Sequence, residues 1–177
     1  VPVEFAVSVY ETIAAAGVDY GLASAGYYAI DSLRIEKAYR AWGRELTPDC
    51  TPLEAGLAFA VKLGSDIPFR GRDALVKQQT QGIERRLAVF MLDDPQAILW
   101  GGELIVRNGE PAGHITSAAY GHTVGRAVAL GYVHSASGRA DAAFVTGGRY
   151  QIDVAGELFD ATAQLRAAYD PDGKRIK

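Results

Sequence analysis

Hydrophobic residues near the start of the chain follow the spacing of a helix. Phe5, Val9 and Ile13 recur every four residues, which places them on one helical face. Pro2 suits the first turn of such a helix, because its missing N–H would have no partner there. Gly17 suits a left-handed stop at the other end. The pattern therefore predicts an N-terminal helix that ends at Gly17.

Three more elements are predicted before residue 83. A charged helix is expected over residues 27–39, and a weakly amphipathic one over residues 72–81. Between them, hydrophobic residues alternate with alanine or lysine over residues 57–63, which is the period of a strand with one buried face. Thr51-Pro52 precedes that strand and is typical of a turn followed by a helix start. The helix over residues 27–39, the aromatic-rich segment with Tyr39 and Trp42 that follows it, and the strand over residues 57–63 are expected to form one wall of a pocket.

From Arg85 onward, short apolar segments alternate with glycine-rich turns. Asn108-Gly109 is a two-residue hairpin signal, because both residues tolerate positive φ. Strands are predicted at residues 87–92, 103–107, 114–117, 127–133, 144–145, 150–154 and 159–165. Many short strands joined in this way indicate an antiparallel barrel or sandwich. The fold class is therefore α+β, with an α+β segment over residues 1–83 followed by a small antiparallel β-barrel or sandwich domain over residues 84–177.

Composition excludes several classes of partner. The chain has 177 residues, of which 49% are hydrophobic and 22% charged, as in an ordinary globular protein. A formal charge of -3 supplies no basic field, so we expect no nucleic-acid partner. No apolar run approaches the roughly 18 residues that a membrane span needs, so we expect no membrane partner.

Cysteine and histidine usage argues against a metal site. Cys50 is the one cysteine, which suits a reducing compartment, and we expect a cytoplasmic location. His114, His122 and His134 are scattered and have no zinc-ligand spacing with Cys50. No metal is therefore predicted.

The candidate chemistry lies in a charged helix and in two polar or aromatic groups. Arg34 and Glu36 are two residues apart, so on a helix they point to different sides. Each could bridge neighbouring elements, or one could face a ligand. His122 lies in a polar segment, residues 116–123, predicted as a loop that could supply hydroxyls and an imidazole, or only turn chemistry. The aromatic set could stack on a flat ligand or pack in the core, and consists of Tyr27, Tyr28, Tyr39 and Trp42.

Sequence motifs distributed over the whole chain resemble the folate-binding aminomethyltransferase family, the T-protein module of the glycine cleavage system. The motifs are Ala29-Ile-Asp-Ser-Leu-Arg-Ile-Glu36, Thr51-Pro-Leu-Glu-Ala-Gly-Leu57, Gly113-His-Ile-Thr-Ser117 and Gly125-Arg-Ala-Val-Ala-Leu-Gly-Tyr-Val133. The resemblance implies that residues 1–83 are the C-terminal part of the family's folate-binding domain and that residues 84–177 are its C-terminal β-barrel domain.

One phrase is similar to a particular branch of that family. Arg34-Ile-Glu-Lys-Ala-Tyr-Arg-Ala-Trp-Gly43 resembles the folate module at the C-terminal end of dimethylglycine and sarcosine dehydrogenases. The resemblance implies tetrahydrofolate as cofactor, with FAD expected only in an N-terminal flavin domain that this sequence lacks. The expected partners are folate and the remainder of the parent chain, which is the flavin domain and the N-terminal half of the folate module.

The resemblance assigns two cofactor-binding residues and no catalytic residue. Tyr39 matches a family position whose aromatic ring lines the folate site, and Arg175 falls near a basic position that reaches the folate. Ile30 departs from the family, because glycine-cleavage members carry an arginine there that pairs with the folate tail. This departure favours the dehydrogenase branch. The front half of the module would hold the catalytic carboxylate, so the isolated chain is expected to be inactive.

The sequence analysis therefore predicts the C-terminal portion of a tetrahydrofolate-dependent dehydrogenase or aminomethyltransferase, which positions folate to accept a one-carbon unit as 5,10-methylenetetrahydrofolate. Two alternatives stay open, a non-catalytic folate-binding or assembly module and a glycine cleavage system aminomethyltransferase. A demethylase acting on another methyl donor is a third.

Overall fold

The structure is a computed structural model that describes residues 1–175. Its α-helices are Ala6–Gly17 (α1), Tyr27–Glu36 (α2), Arg72–Gln81 (α3) and Ala142–Thr146 (α4), and its strands are Arg85–Leu92 (β1), Leu104–Arg107 (β2), Glu110–Gly121 (β3), Arg126–His134 (β4), Tyr150–Val154 (β5) and Glu157–Gln164 (β6). The chain divides into two compact units, Val1–Ile30 and the residues from Asp31 onward. The domain boundary after residue 83 stays a prediction.

The first unit contains α1, where the four-residue spacing predicts it. Gly17 is the last residue of the helix, as predicted, but it has a right-handed φ of -85°. A 3₁₀ turn, Val18–Tyr20, continues the chain, and Gly21 adopts the left-handed conformation with φ 68°. The amide of Leu22 then donates to the carbonyl of Gly17 over 3.0 Å. The predicted end at Gly17 is therefore confirmed, but the left-handed conformation predicted for Gly17 was wrong, because the left-handed residue that stops the chain is Gly21.

The predicted barrel is confirmed as a closed, antiparallel, six-stranded barrel with the strand order β1-β4-β3-β2-β5-β6. The hairpin between β2 and β3 turns at Asn108 and Gly109, whose φ angles of 54° and 87° are those of the predicted two-residue turn. Pairing of β1 with β6 closes the sheet. Closure leaves no unpaired edge strand, and the side chains from all six strands fill the interior.

Strands β1 and β4 are apolar without alternation because both of their faces are buried. Ala88 and Phe90 belong to the core inside the barrel, whereas Leu87 and Val89 belong to a second cluster on the outer face. Ile35 of α2 packs in that second cluster. The same division runs along β4, where Val128, Leu130 and Tyr132 face outward. Helix α2 therefore covers the outer face of β1 and β4, which fixes the end of the helix against the barrel.

Two predicted strands are absent from the described residues. Residues 57–63 form a 3₁₀ turn, Ala58–Ala60, and Phe59 is 84% exposed. A strand needs a neighbouring strand for its backbone hydrogen bonds, and none of the described strands pairs with this segment. Residues 144–145 lie in α4, because the carboxylate of Asp141 caps that helix by accepting the amide of Phe144 over 2.8 Å.

The polar segment over residues 116–123 is the third difference from prediction. Its first part is not a loop, because β3 continues to Gly121 and pairs with β4 along that length. A β-bulge interrupts the register between Ile115 and Ser117, so that Thr116 is the extra residue. A bulge re-aims the side chain that it carries.

Candidate functional site

Tyr39 lies on a loop whose direction is set by the end of α2. Ala38 adopts a left-handed φ of 55°, its amide donates to the carbonyl of Ile35 over 2.9 Å, and the amide of Tyr39 donates to the carbonyl of Arg34 over 2.8 Å. These two bonds are those of a Schellman motif, with alanine where glycine is usual. Ala38 is buried against the barrel and Tyr39 is 52% exposed. The motif therefore turns the chain so that the Tyr39 ring faces outward.

Arg34 links this loop to the barrel. Its guanidinium donates to Asp31 over 2.6 Å, to the Ser117 hydroxyl over 3.0 Å, to the carbonyl of Tyr39 over 3.2 Å and to Glu45 over 3.3 Å. The planar guanidinium directs its donors along fixed directions, so these four acceptors constrain its position. Of the two interpretations open from sequence, the structure shows bridging contacts for Arg34.

Glu45 is fully buried and accepts hydrogen bonds on both carboxylate oxygens. Oε2 accepts the amide of Ala41 over 2.9 Å and the guanidinium of Arg34, and Oε1 accepts the hydroxyl of Thr116 over 2.7 Å. The main-chain carbonyl of Glu45 accepts the hydroxyl of Tyr132 over 2.8 Å. A buried carboxylate is stable only when its oxygens are paired in this way. Sequence reasoning missed Glu45, since one acidic residue in a loop gives no sign that it is buried.

Glu36 points away from Arg34, as its spacing predicts. Its side chain is buried, and Oε1 accepts the amides of Thr123 and Val124 over 2.8 and 3.0 Å. These amides belong to the turn between β3 and β4. Glu36 therefore fixes that turn to α2, which is again a bridging contact.

Arg175 is exposed and lies on a C-terminal segment that is bonded to α2. The amide of Tyr169 donates to the carbonyl of Glu36 over 3.0 Å, and the Asp170 carboxylate accepts the ammonium of Lys37 over 3.0 Å. The same carboxylate accepts the amide of Arg175 over 3.0 Å. The Asp170 carboxylate thus joins the backbone of Arg175 to the side chain of Lys37, which lies two residues before Tyr39.

The charge of Asp170 is stabilised at this junction. Burial tends to raise the pKa of its carboxyl, but the hydrogen bond from the Lys37 ammonium and those from the amides of Arg175 and Lys174 outweigh burial. The pKa of Asp170 therefore lies below its ordinary value, and its carboxylate stays ionised and paired at neutral pH.

The remaining residues singled out from sequence are exposed. Ile30 is 53% exposed at the end of the first unit, and Tyr27 and Tyr28 are exposed in the same unit. His122 is exposed and packs edge-on against Tyr120, with ring centroids 5.3 Å apart. Trp42 is 75% exposed on the loop that follows Tyr39.

A groove of about 720 Å³ lies elsewhere in the second unit, and neither Tyr39 nor Arg175 lines it. Its walls include Cys50, Val61 and Phe69. Burial tends to raise the pKa of the Cys50 thiol, but hydrogen bonds involving Thr47 and Tyr132 outweigh burial and lower it. Burial is also the main cause that raises the pKa of the Tyr132 hydroxyl.

Metal-ligand clusters and membrane-spanning helices are both absent from residues 1–175. Within residues 1–175, no group of three or more His, Cys, Asp or Glu side chains is placed to hold a metal ion. The helices of that part are also too short or too polar for any of them to cross a bilayer.

Comparison with known proteins gives matches over both parts of the chain. A family model described as the glycine cleavage T-protein C-terminal barrel domain matches residues 85–170, and one described as the GCVT N-terminal domain matches residues 1–65. The crystal structure of the glycine cleavage system aminomethyltransferase T from Bartonella henselae aligns with a TM-score of 0.79 and 25% identity. The alignment covers 97% of this chain and 45% of that one.

Two curated relatives show how much of a longer protein the chain matches. Mitochondrial sarcosine dehydrogenase from Homo sapiens is 44% identical over 178 residues, which cover 100% of this chain and 19% of the human protein. The mitochondrial pyruvate dehydrogenase phosphatase regulatory subunit from Mus musculus is 46% identical over 175 residues, which cover 93% of this chain and 20% of the mouse protein. The chain therefore spans about a fifth of the length of these relatives.

Proposed function

Because the chain belongs to the glycine cleavage T-protein family over both matched parts, we propose that it is the C-terminal portion of a tetrahydrofolate-dependent N-methyl amine dehydrogenase. The sarcosine dehydrogenase relative supports this branch, and dimethylglycine and sarcosine are the kinds of amine that we propose for the parent protein. The chain's own part is to bind and orient folate while a one-carbon unit is transferred as 5,10-methylenetetrahydrofolate. Oxidation of the amine belongs to a flavin domain elsewhere in the parent protein.

The proposal depends most on the position of Tyr39, whose backbone is fixed while its ring is exposed. Its backbone is bonded on both sides, through its amide to Arg34 and through its carbonyl to the Arg34 guanidinium, while its ring stays 52% exposed. Because the backbone already holds this ring at the surface, a flat ligand that stacks on it causes little further loss of conformational entropy.

The residue types near the end of α2 fit folate. Tetrahydrofolate has flat rings at one end and an anionic glutamate at the other, which suit the Tyr39 ring and the Arg175 guanidinium respectively. Arg175 is exposed on the segment that Asp170 joins to α2. When bound, tetrahydrofolate supplies the N5 amine that captures the one-carbon unit. The residues of this chain would contribute orientation and proximity.

The proposal includes what the chain does not do. We propose that it carries no catalytic carboxylate and is inactive by itself, with the reactive acid in the front half of the folate module. A cytoplasmic location remains our expectation, on the basis of the unpaired thiol of Cys50.

Incubation with an N-methyl amine, an electron acceptor and tetrahydrofolate tests the proposal, using this chain alone and this chain joined to the remainder of the parent protein. We expect product formation only when the parent chain is complete. Formation of 5,10-methylenetetrahydrofolate by residues 1–177 alone would contradict the proposal, since the catalytic group would then lie within this chain.

A tyrosine variant sharpens the same experiment. In the complete protein, Tyr39→Ala should weaken tetrahydrofolate binding by about tenfold, since a base–aromatic stack is worth roughly 1–3 kcal/mol. Tyr120→Ala is the matched control, because Tyr120 is also partly exposed, at 42%, but its ring packs against His122. Equal loss of affinity in both variants, or no loss in Tyr39→Ala, would reject Tyr39 as a folate contact.

A second candidate is a non-catalytic binding or assembly module. The observation that favours it is the 46% identity to a regulatory subunit, which is named for regulation and not for a reaction. The reading frame of the parent protein distinguishes the two, because a dinucleotide-binding domain with its glycine fingerprint is needed for flavin chemistry. A parent protein that binds FAD and turns over an N-methyl amine would exclude this candidate.

A glycine cleavage aminomethyltransferase is a weaker alternative. Ile30 is uncharged and cannot supply the bidentate contact that an arginine would make with the glutamate tail.

A further inference from the structure

We propose that Glu45 is the positioning residue that holds the aromatic loop, residues 39–46, in the orientation that presents Tyr39 to its ligand. This inference rests on the proposed function in so far as the ligand is folate. Glu45 itself does not contact the ligand in this proposal. It acts through Arg34 and through the backbone of the loop.

The loop has an unusual anchor. Loops on protein surfaces are ordinarily held by an apolar side chain that enters the core, but Tyr39 and Trp42 are both exposed. Glu45 is the one buried residue between positions 39 and 46, with 0% relative exposure. A buried carboxylate therefore stands where an apolar anchor would be expected. Its burial is tolerated because hydrogen-bond donors surround it.

The donors come from three different parts of the fold. Arg34 belongs to α2, Ala41 to the loop itself, and Thr116 to the bulge in β3. Arg34 is also joined to the barrel through Ser117, but Glu45 is the described side chain that accepts hydrogen bonds from all three parts. Two carboxylate oxygens thus join helix, loop and barrel at one point.

The remaining contacts of the loop do not replace this junction. The amide of Gly43 donates to the carbonyl of Leu46 over 2.8 Å, and that of Leu46 to the carbonyl of Ala41 over 3.2 Å. These bonds shape the loop internally but attach it to nothing else. Arg40 attaches only its start, by donating to the carbonyl of Ala55 over 3.0 Å. The hydroxyl of Tyr132 also reaches the loop from the barrel, at the main-chain carbonyl of Glu45. The orientation of residues 41–46 against the barrel therefore depends on the carboxylate and the backbone of Glu45.

The link to Tyr39 passes through one nitrogen. Arg34 Nη1 lies 3.3 Å from Glu45 Oε2 and 3.2 Å from the carbonyl oxygen of Tyr39, so it donates to both. Two carboxylates hold the guanidinium, Asp31 at Nε over 2.6 Å and Glu45 at Nη1 over 3.3 Å. Loss of the Glu45 charge removes the one that Nη1 contacts, and a hydrogen bond to an ionised acceptor is about twice as strong as a neutral one. The carbonyl of Tyr39 then loses a fixed donor, and the ring loses its fixed direction.

Glu45→Gln tests this role with little change in size. The glutamine oxygen can keep the amide of Ala41 and the guanidinium of Arg34. Its NH₂ can donate to the hydroxyl of Thr116, which then donates to the carbonyl of Leu130. The variant therefore removes the charge that holds Arg34 and leaves the remaining hydrogen bonds possible.

Glu54→Gln is the matched control. Glu54 is 9% exposed and also lies 3.3 Å from an arginine, Arg85, but it caps the turn at Thr51 and has no contact with the aromatic loop.

Two measurements on the complete protein separate positioning from simple stability. Amide hydrogen exchange should become at least tenfold faster over residues 39–46 in Glu45→Gln, with β1 and β4 unchanged. The affinity for tetrahydrofolate should fall at least tenfold in Glu45→Gln and less than twofold in Glu54→Gln. Unchanged exchange in the loop would overturn the inference, and so would faster exchange with wild-type affinity, because Glu45 would then have only a structural role.

A milder variant covers the case in which Glu45→Gln fails to fold. Thr116→Val removes one donor to Oε1 and keeps the shape of the side chain, so loop exchange and folate affinity should change in the same direction by a smaller factor. If wild-type protein shows no tetrahydrofolate binding, the proposed function fails. In that case loop exchange still decides whether Glu45 orders the loop, but the inference of a role in folate presentation is overturned.

Discussion

The two units of the chain differ in whether their helices and strands find something to pack against. In Val1–Ile30, α1 has the periodic apolar residues of a packed helix but contains no buried residue, and Phe5 and Ile13 are both 56% exposed. In the second unit, Ile35 at the end of α2 is 0% exposed within a cluster on the outer face of the barrel. Local sequence pattern therefore suffices to predict a helix, but only contacts from outside the helix bury its apolar face.

The same contrast exists within the second unit. Residues 57–63 have the alternation of a strand but no partner among the described strands, whereas β4 pairs on one side with β1 and on the other with β3. An unpaired segment leaves its amides and carbonyls without partners and gains nothing from extension. Residues 57–63 and β4 therefore differ in burial and strand pairing more than in the local preference of their sequences for a strand.

Removing a core ring is the largest expected effect and tests the contrast directly. Phe90 is 0% exposed inside the barrel and packs edge-on against Tyr150, with ring centroids 5.4 Å apart. Phe90→Ala should lower the free energy of unfolding by about 3–5 kcal/mol. Phe5→Ala, in the first unit, should change it by less than about 0.5 kcal/mol. Urea unfolding of both variants measures the difference, and similar losses would show that the first unit is as well packed as the barrel.

A smaller effect is expected from a buried carboxylate at the end of α2. Glu36 is 2% exposed and accepts two amides from the turn between β3 and β4. Glu36→Gln should lower the free energy of unfolding by about 1.5–3 kcal/mol, the usual range for hydrogen bonds to a charged group. Glu4→Gln is the control in the first unit, since Glu4 is exposed. A thermal scan in which both variants match the wild type would contradict the anchoring role of Glu36.

The smallest expected effect concerns pH and the C-terminal segment. Because the pKa of Asp170 is lowered in the folded protein, its contribution is complete above the unfolded value of about 3.9 and is lost as pH falls through the folded value. The amides of Lys174 and Arg175 should therefore exchange slowly near pH 6 and lose protection below about pH 4. Asp170→Asn should abolish this pH dependence. Protection that persists unchanged at pH 2 would show that Asp170 does not hold the segment.

Sequence by itself determined the elements whose cause is local. The spacing of Phe5, Val9 and Ile13 predicted α1, and the positive-φ pair Asn108-Gly109 predicted the hairpin between β2 and β3. The short apolar segments separated by glycine-rich turns after residue 85 predicted a barrel or sandwich, and the resemblance of the motifs identified the family. The assignments of Tyr39 and Arg175 to folate remain predictions. The helix and the hairpin each depend on a few residues close together in the sequence, whereas the barrel and the family depend on short patterns repeated along the chain.

Tertiary structure decided everything that depends on a partner distant in sequence. It left residues 57–63 without a neighbouring strand, and it extended β3 past its predicted end at residue 117 to Gly121, with a bulge at Thr116. It also buried Glu45, whose donors are 11 residues away at Arg34 and 71 residues away at Thr116. The physical reason is that pairing and desolvation depend on which groups meet in space. A pattern read along the chain records only what each segment is able to form.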